Sequence, residues 1–356
     1  MEDATWKRDS TTHRKTARLL SEDQARKILD EVRALSGESA IRVCNLTDYV
    51  KEWLASKQTT TSNATFVRYS GVVNAFVAHA GQRAARGSIE TITAGDVKAF
   101  RDFQVREGKS QTTANLALKT LRILFNDARR EGLISVNPAE GVKIFDVEKE
   151  ARDVFTHDQL RAIVSAASPE WKTAILLAYN GGLRLGDAVS LAWESISFDR
   201  HEIRFFPQKT AGARRHPDWK KHLPGQLEIP MMPELEAHLL SLPSSDDPAA
   251  ALCPTLSTKS TGGNHGLSSM FQRVMDKAGV HGDRGVEKSG KGRQFKTLGF
   301  HSLRHTFVSE LANADVPADV RRQISGHSDE KIHERYTHLD LASKRRALTK
   351  LRPLSA

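Results

Sequence analysis

The apolar period of this chain is helical on both sides of one short stretch, and within that stretch it switches to alternation. Trp193 to Phe198, Glu202-Ile-Arg-Phe-Phe206 and Leu227-Glu-Ile229 read as strands, and Asp199-Arg200-His201 supplies the turn between the first two. Segments this short suffice for a hairpin and one further strand. The expected fold is therefore mainly α with a small antiparallel β-sheet.

The helices sort into two units, and 356 residues give enough chain for two separate cores. Thr47 is read as the cap of a helix carrying Tyr49, Val50, Trp53 and Leu54, and Ser62 to Ala80, with Phe66, Tyr69, Val73, Phe76 and Val77, stops at Gly81. Thr93 opens a third helix with Val97, Phe100 and Phe103. Ser110 to Arg130 is a long fourth one with Leu116, Leu118, Leu121, Leu124 and Phe125, ended by Gly132 and Asn137-Pro138. Residues 45–140 thus form an all-α bundle. A charged run, Lys143 to Arg152, marks a linker over 141–153, and the capping box Thr156-His-Asp-Gln159 opens a second domain over 154–340. Residues 1–44 read as a basic arm and an amphipathic helix behind Ser21-Glu-Asp-Gln24. Residues 341–356 read as a basic tail helix with an apolar stripe of Leu341, Leu348 and Leu351.

Lys and Arg number 53 against 43 Asp and Glu, a formal charge of +10, which points to a polyanionic partner and most simply to nucleic acid. Cys44 and Cys253 match no metal-ligand spacing and are expected as reduced, structural thiols, which fits a cytoplasmic protein. The N-terminus lacks the apolar core of a signal peptide. No uncharged apolar run approaches the ~18 residues of a membrane span, so no membrane association is expected.

In the second domain the strongly apolar Trp171 to Tyr179 stops at Gly181-Gly182, and Arg184-Leu-Gly-Asp187 begins a polar helix. A double glycine lets the backbone turn sharply, so Arg184 is expected at the mouth of that helix, where Asp187 can pair with it or with a backbone donor. Lys209 stands where the second strand leaves the sheet, and Arg214 and Arg215 add charge to the widened hairpin. Further on, His301, Arg304, His305 and Val308 share one helix face and Leu303, Phe307 and Leu311 another. The apolar face is expected to bury and the cationic one to look into a cleft. Asp319 to Ser325 is another short helix, which Gly326 ends with a positive φ, presenting His327; a third helix, started by Ser328-Asp-Glu, carries Tyr336.

Singly, each of these residues has an ordinary reading: a structural histidine, a helix-entry ion pair, an exposed turn lysine, a half-buried tyrosine. His301 and His305 also have metal-ligand spacing, but Ser302 stands where the zinc-protease motif carries glutamate. In the bundle, Lys109, Lys119, Arg122, Arg129 and Arg130 read either as a solvated face or as one turned to phosphates.

Jointly, Gly-Gly-Leu-Arg184-Leu-Gly-Asp187, Lys209, His301-Ser-Leu-Arg304-His305-Thr, Gly326-His327-Ser and Arg335-Tyr336-Thr-His338 resemble, in order and spacing, the catalytic motifs of the tyrosine recombinases, the phage integrase family. The resemblance covers 153–340 well and 45–140 more loosely, as a core DNA-binding domain. It implies an α+β catalytic domain behind an all-α core-binding domain, and a site-specific recombinase that cuts and rejoins double-stranded DNA. A 3′-phosphotyrosyl intermediate is implied, with no cofactor, metal or ATP. Tyr336 would attack the scissile phosphate, Lys209 would protonate the leaving 5′-oxygen and His301 would assist proton transfer. His327 would donate a hydrogen bond to the phosphate, and Asp187 would orient the site.

The residue types suit this chemistry on their own. A phosphodiester repels nucleophiles, so cleavage without metal needs fixed cations, and Arg184 and Arg304 each offer a planar donor fork. A phenol ionises more easily than an aliphatic hydroxyl. Of the four tyrosines, Tyr49 and Tyr69 sit at apolar bundle positions and Tyr179 ends a buried helix, which leaves Tyr336. Lys109, Lys119, Arg122, Arg214 and Arg215 are the candidate DNA contacts. A homo-tetramer on DNA is implied, with a monomer or weak dimer when free. The tail docks either on its own domain or, as the resemblance suggests, on a neighbour in trans. Two rivals share the scaffold: a type IB topoisomerase that relaxes DNA without exchange, and a regulator without chemistry, which would have lost some of the six catalytic residues.

Overall fold

Side-chain caps and glycine stops set several helix boundaries in the computed structural model, which describes residues 24, 27, 28, 44–147, 152–208, 226–243, 245–263, 265–282, 296–326, 337–341 and 343–345. The chain forms two compact units, the first reaching Val147 and the second running from Glu148.

The first unit is all-α: α1 (Leu46–Thr60), α2 (Asn63–Arg86), α3 (Ala94–Arg106) and α4 (Gln111–Arg130), with a 3-10 turn at Ile89–Thr91. Asn45, not Thr47, caps α1; its side-chain oxygen accepts from the Asp48 N–H at 2.8 Å. Asparagine is the better cap, and Asn-Leu-Thr-Asp offers both candidates. Thr93 and Asp96 form a reciprocal capping box at α3. At Gly81 the backbone leaves the helix, with φ 76°, and a short helical extension follows to Arg86. Leu46, Tyr49 and Trp53 of α1 pack with Val73 and Phe76 of α2, Phe100 of α3, and Leu118, Leu121, Leu124 and Phe125 of α4. Phe76 meets the Phe100 and Phe125 rings edge-on at 5.3 and 6.0 Å, the favoured aromatic geometry.

The chain leaving α4 is strapped back onto this unit. Arg122 Nε and Nη2 donate to the carbonyls of Ala139 and Val142 at 3.0 and 2.6 Å. Asn115 exchanges two hydrogen bonds with the Phe145 backbone, and Arg101 lies 4.3 Å over the Phe145 ring. Residues 141–145, read from sequence as the start of a linker, therefore belong to the bundle's surface.

The second unit holds α5 (His157–Ala166), α6 (Pro169–Gly181), α7 (Leu185–Val189), β1 (Ile196–Ser197), β2 (Glu202–Phe205), β3 (Leu227–Pro230), α8 (Pro233–Leu240), α9 (Pro254–Ser257), α10 (Leu267–Lys277), α11 (Phe300–Asn313) and α12 (Ala318–Ser325). The strands form an antiparallel sheet in the order β1-β2-β3. Ile203 opposite Ile229 and Phe205 opposite Leu227 bury one face, while Arg204 on the other lies 2.8 Å from Glu202 and 3.6 Å from Glu228. Trp193–Ser195, read as strand, forms a 3-10 turn instead, which leaves β1 two residues long. The helix α6 is buried almost all round, through Trp171, Ile175, Leu176 and Leu177, and packs on α11. Among the described residues no helix is long and apolar enough to cross a membrane.

Candidate active site

The site begins at the corner where α6 stops. Gly182 takes φ 63° and ψ 25° as the left-handed cap of α6, and Arg184, two residues on, is the N-cap of α7. The corner is tight: a Cβ on Gly182 would lie 2.8 Å from the Phe307 ring of α11. The Gly182 carbonyl accepts a hydrogen bond from Arg304 Nη1. One backbone corner thus fixes both arginines, Arg184 through the chain and Arg304 through its guanidinium.

Asp187 lies one helical turn beyond Arg184 and is 5 % exposed. Its Oδ1 accepts from the Gln208 N–H at 2.8 Å, and its Oδ2 is 3.9 Å from Arg184 Nη1. Burial pushes its carboxyl above the usual range, against the Gln208 N–H and the positive fields of Arg184 and Arg304, which pull it down. Both guanidinium groups therefore act on this one carboxylate.

The helix α11 is more enclosed than its sequence suggests. From Phe300 to Ser309 every residue except His301 is buried, Arg304 to 2 % exposure and His305 to 6 %. Of the cationic face expected to look into a cleft, Arg304 and His305 are desolvated by tertiary packing, and His301 alone among the three stays half-exposed. The His301 and His305 rings meet edge-on at 5.4 Å, and His338 lies beyond at 6.1 Å from His305. Burial first, then the neighbouring His301, His338, Arg152 and Arg304, push His305 down to about 3, so it stays a neutral imidazole.

Lys209, Arg214, Arg215, His327 and Tyr336 lie outside the described residues, as do most of residues 1–44 and residues 346–356. The described neighbours of the catalytic candidates are all tied into the second unit. Gln208, before Lys209, is held by Asp187. Gly326, before His327, takes φ 65° as the cap of α12, where a Cβ would meet Leu227 at 2.8 Å. Thr337, after Tyr336, accepts from Arg321 Nη1 at 2.9 Å, and the His338 N–H donates to Ser309 Oγ at 3.0 Å. Asn313 donates to the His338 carbonyl, and its Oδ1 accepts from Asp340 N–H and Ser343 Oγ. The first turn of the tail thus rests on the end of α11 in its own chain. Sequence reading missed Arg321, Ser309 and Asn313; the only signal was polar residues at helix positions near a turn.

Of the bundle's candidate DNA contacts, Lys119 is exposed, and Lys109, also exposed, donates to Gln104 Oε1. Arg122 is turned inward to its two carbonyls and serves the fold.

The fold and this corner define a class: an α+β catalytic unit with two arginines and a buried carboxylate at one helix junction, preceded by a helical bundle. Residues 153–224 and 256–342 match the phage integrase family model, and residues 45–145 match the phage integrase SAM-like domain. Among curated relatives, a XerC-like tyrosine recombinase of Caldanaerobacter subterraneus is 26% identical over 82% of this chain and 78% of its own length. Tyrosine recombinase XerC of Thermodesulfovibrio yellowstonii is 28% identical over 73% of this chain and 82% of its own length. Among solved structures, the Tn1549 transposon integrase in complex with a circular intermediate DNA aligns with TM-score 0.61 at 18% identity, covering 86% of this chain and 99% of that one. A lambda integrase dimer bound to a core site aligns with TM-score 0.60 at 17% identity, covering 88% and 81%. The chain belongs to the phage integrase family of tyrosine recombinases.

Proposed function

We propose that this recombinase cuts and rejoins duplex DNA at a specific site through a phosphotyrosyl link to Tyr336. The observation that carries the reading is the convergence of Arg184, Arg304 and Asp187 on the Gly181-Gly182 corner. A guanidinium as buried as Arg304 is held at a cost of several kcal/mol unless anions or carbonyls offset it, and a phosphodiester is an anion shaped for two such forks.

In the step proposed, Tyr336 passes its phenol proton to His301 as its oxygen attacks phosphorus, the bond to the 5′-oxygen breaks, and that oxygen takes a proton from Lys209. The DNA 3′-phosphate is left esterified to the phenol. His301 and His327 serve the proton transfer and the phosphate. Attack by the 5′-hydroxyl of another strand reverses the step, so no external energy source is consumed. Asp187 keeps the arginine corner and the chain before Lys209 in register. Solved relatives include a lambda integrase tetramer bound to a Holliday junction. A tetramer on DNA is the assembly proposed here, with tail residues beyond 345 docking on a neighbour. Lys109 and Lys119 of the bundle, and Arg214 and Arg215 of the second unit, are the proposed phosphate contacts.

Covalent capture tests the reading. The full chain is incubated with a random library of nicked duplexes, and DNA retained on denatured protein is sequenced. The expected result is an SDS-resistant adduct enriched in one short sequence. No adduct would defeat the proposal, and adducts without sequence enrichment would favour relaxation over recombination.

A further inference from the structure

The proposed general acid follows Gln208 directly in the chain, and Gln208 is held at two points. Its backbone N–H donates to Asp187 Oδ1 at 2.8 Å, and its side-chain Nε2 donates to Ser190 Oγ at 2.6 Å. Ser190 Oγ in turn donates to the Gly186 carbonyl at 2.7 Å, so the hydroxyl serves as acceptor and donor at once. The Gln208 amide lies over Gly186, where an added Cβ would stand 3.4 Å from Oε1. Gly186 and Asp187 lie in α7 and Ser190 is its C-cap, and this is the helix that Arg184 caps at its other end.

A lysine has a flexible four-carbon stem and a rotating ammonium, so its side chain alone cannot fix where its proton is delivered. A general acid must nevertheless come within hydrogen-bond reach of the atom it protonates. Position has to be imposed through the backbone, and consecutive Cα atoms are only ~3.8 Å apart. Securing Gln208 by both its N–H and its side chain therefore holds the chain that leads into Lys209 against the helix bearing Arg184. The backbone bond alone permits rotation about one contact; the side-chain bond to Ser190 removes it.

We propose that the Gln208–Ser190 latch positions Lys209, making both polar residues determinants of leaving-group protonation without either touching the DNA. The inference rests on the strand-transfer reading above.

The test uses full-length protein and the DNA enriched by covalent capture, prepared with oxygen or sulfur at the bridging 5′ position. When sulfur leaves, the electron pair of the broken P–S bond stays on it as a thiolate that needs no proton. Gln208→Ala and Ser190→Ala should each cleave the oxygen substrate about tenfold more slowly, the scale of one lost hydrogen bond. Both should cleave the sulfur substrate at the wild-type rate, with unchanged DNA affinity. The double variant should be no slower than either single one, and Gln208→Glu, which lacks the donor, should follow Gln208→Ala. An equal loss on both substrates, no loss on the oxygen substrate, or a loss explained by weaker DNA binding overturns the proposal. Lys209→Ala separates the two levels. If sulfur does not rescue it, the general-acid assignment itself falls; if sulfur rescues it but not Gln208→Ala, only the latch is refuted.

Discussion

Replacing Gly182 with alanine should damage stability and chemistry together, because one residue there serves both. Its φ of 63° lies in the left-handed region, which costs an ordinary L-residue about 1–2 kcal/mol. The added Cβ would stand 2.8 and 3.0 Å from Cδ1 and Cε1 of Phe307, a ring that is 7 % exposed and cannot swing into solvent. Overpacking of this kind costs about 1–3 kcal/mol. The sum, about 2–5 kcal/mol, corresponds to a fall of about 4–20 °C in the melting of a unit of this size. The Gly182 carbonyl also receives Arg304 Nη1, so a shifted corner displaces a phosphate-binding fork. Cleavage of a nicked suicide duplex, measured where both proteins are folded, should fall at least about tenfold. A cycle with Phe307→Leu divides the cost: coupling of about 1–3 kcal/mol should reappear as the ring clash is relieved, while the backbone share persists. A Gly182→Ala protein that melts within about 2 °C of wild type and cleaves normally would refute this account of the corner.

Three further outcomes are expected. Because burial raises the Asp187 carboxyl, the folded chain holds that proton more tightly than the unfolded chain, and the associated stability is lost as pH rises through the folded value. Asp187→Asn, which keeps an acceptor for the Gln208 N–H, should therefore melt no lower than wild type at neutral pH, with any advantage vanishing below about pH 4; a clear loss of melting temperature at neutral pH would contradict it. Arg321→Ala and Thr337→Val each remove the contact one residue beyond Tyr336, and each should slow cleavage about tenfold while leaving DNA affinity, read by gel shift, unchanged. Burial pushes the Cys253 thiol up to about 12, so an alkylating reagent should label Cys44 first in the native protein, as peptide mapping would report.

The mainly helical fold with its small sheet was legible because its punctuation is local. Thr93 and Thr156 carry their capping partners three residues on, and Gly132 and Gly182 stop helices by their own conformation. Two misses were local as well, and the others came from context beyond that range. Asn45 outcompetes Thr47 within one tetrapeptide, and α9, at Pro254–Ser257, is too short to show a period. Helical periodicity placed Arg304 and His305 on a polar face without showing how deeply it is enclosed, because their burial depends on α6, more than a hundred residues away. The arginine motifs were visible as words; the ties that hold them were not. The Ser190–Gln208 bond spans 18 residues and the Arg304–Gly182 bond 122, and neither leaves a pattern in the intervening sequence.

The most direct test of the central claim is the identity of the residue bonded to DNA. Wild-type protein trapped on a nicked suicide duplex is digested, and the nucleotide-bearing peptide is sequenced by mass spectrometry. The expected result is a single adduct on Tyr336, absent in Tyr336→Phe. The other tyrosines are disfavoured by their settings: Tyr49 is buried in the bundle core, Tyr69 packs on Trp53 at 5.3 Å, and Tyr179 donates to Glu310 at 2.6 Å, with burial and that carboxylate pushing its phenol further up. An adduct on any of these, or one that persists in Tyr336→Phe, would contradict the account.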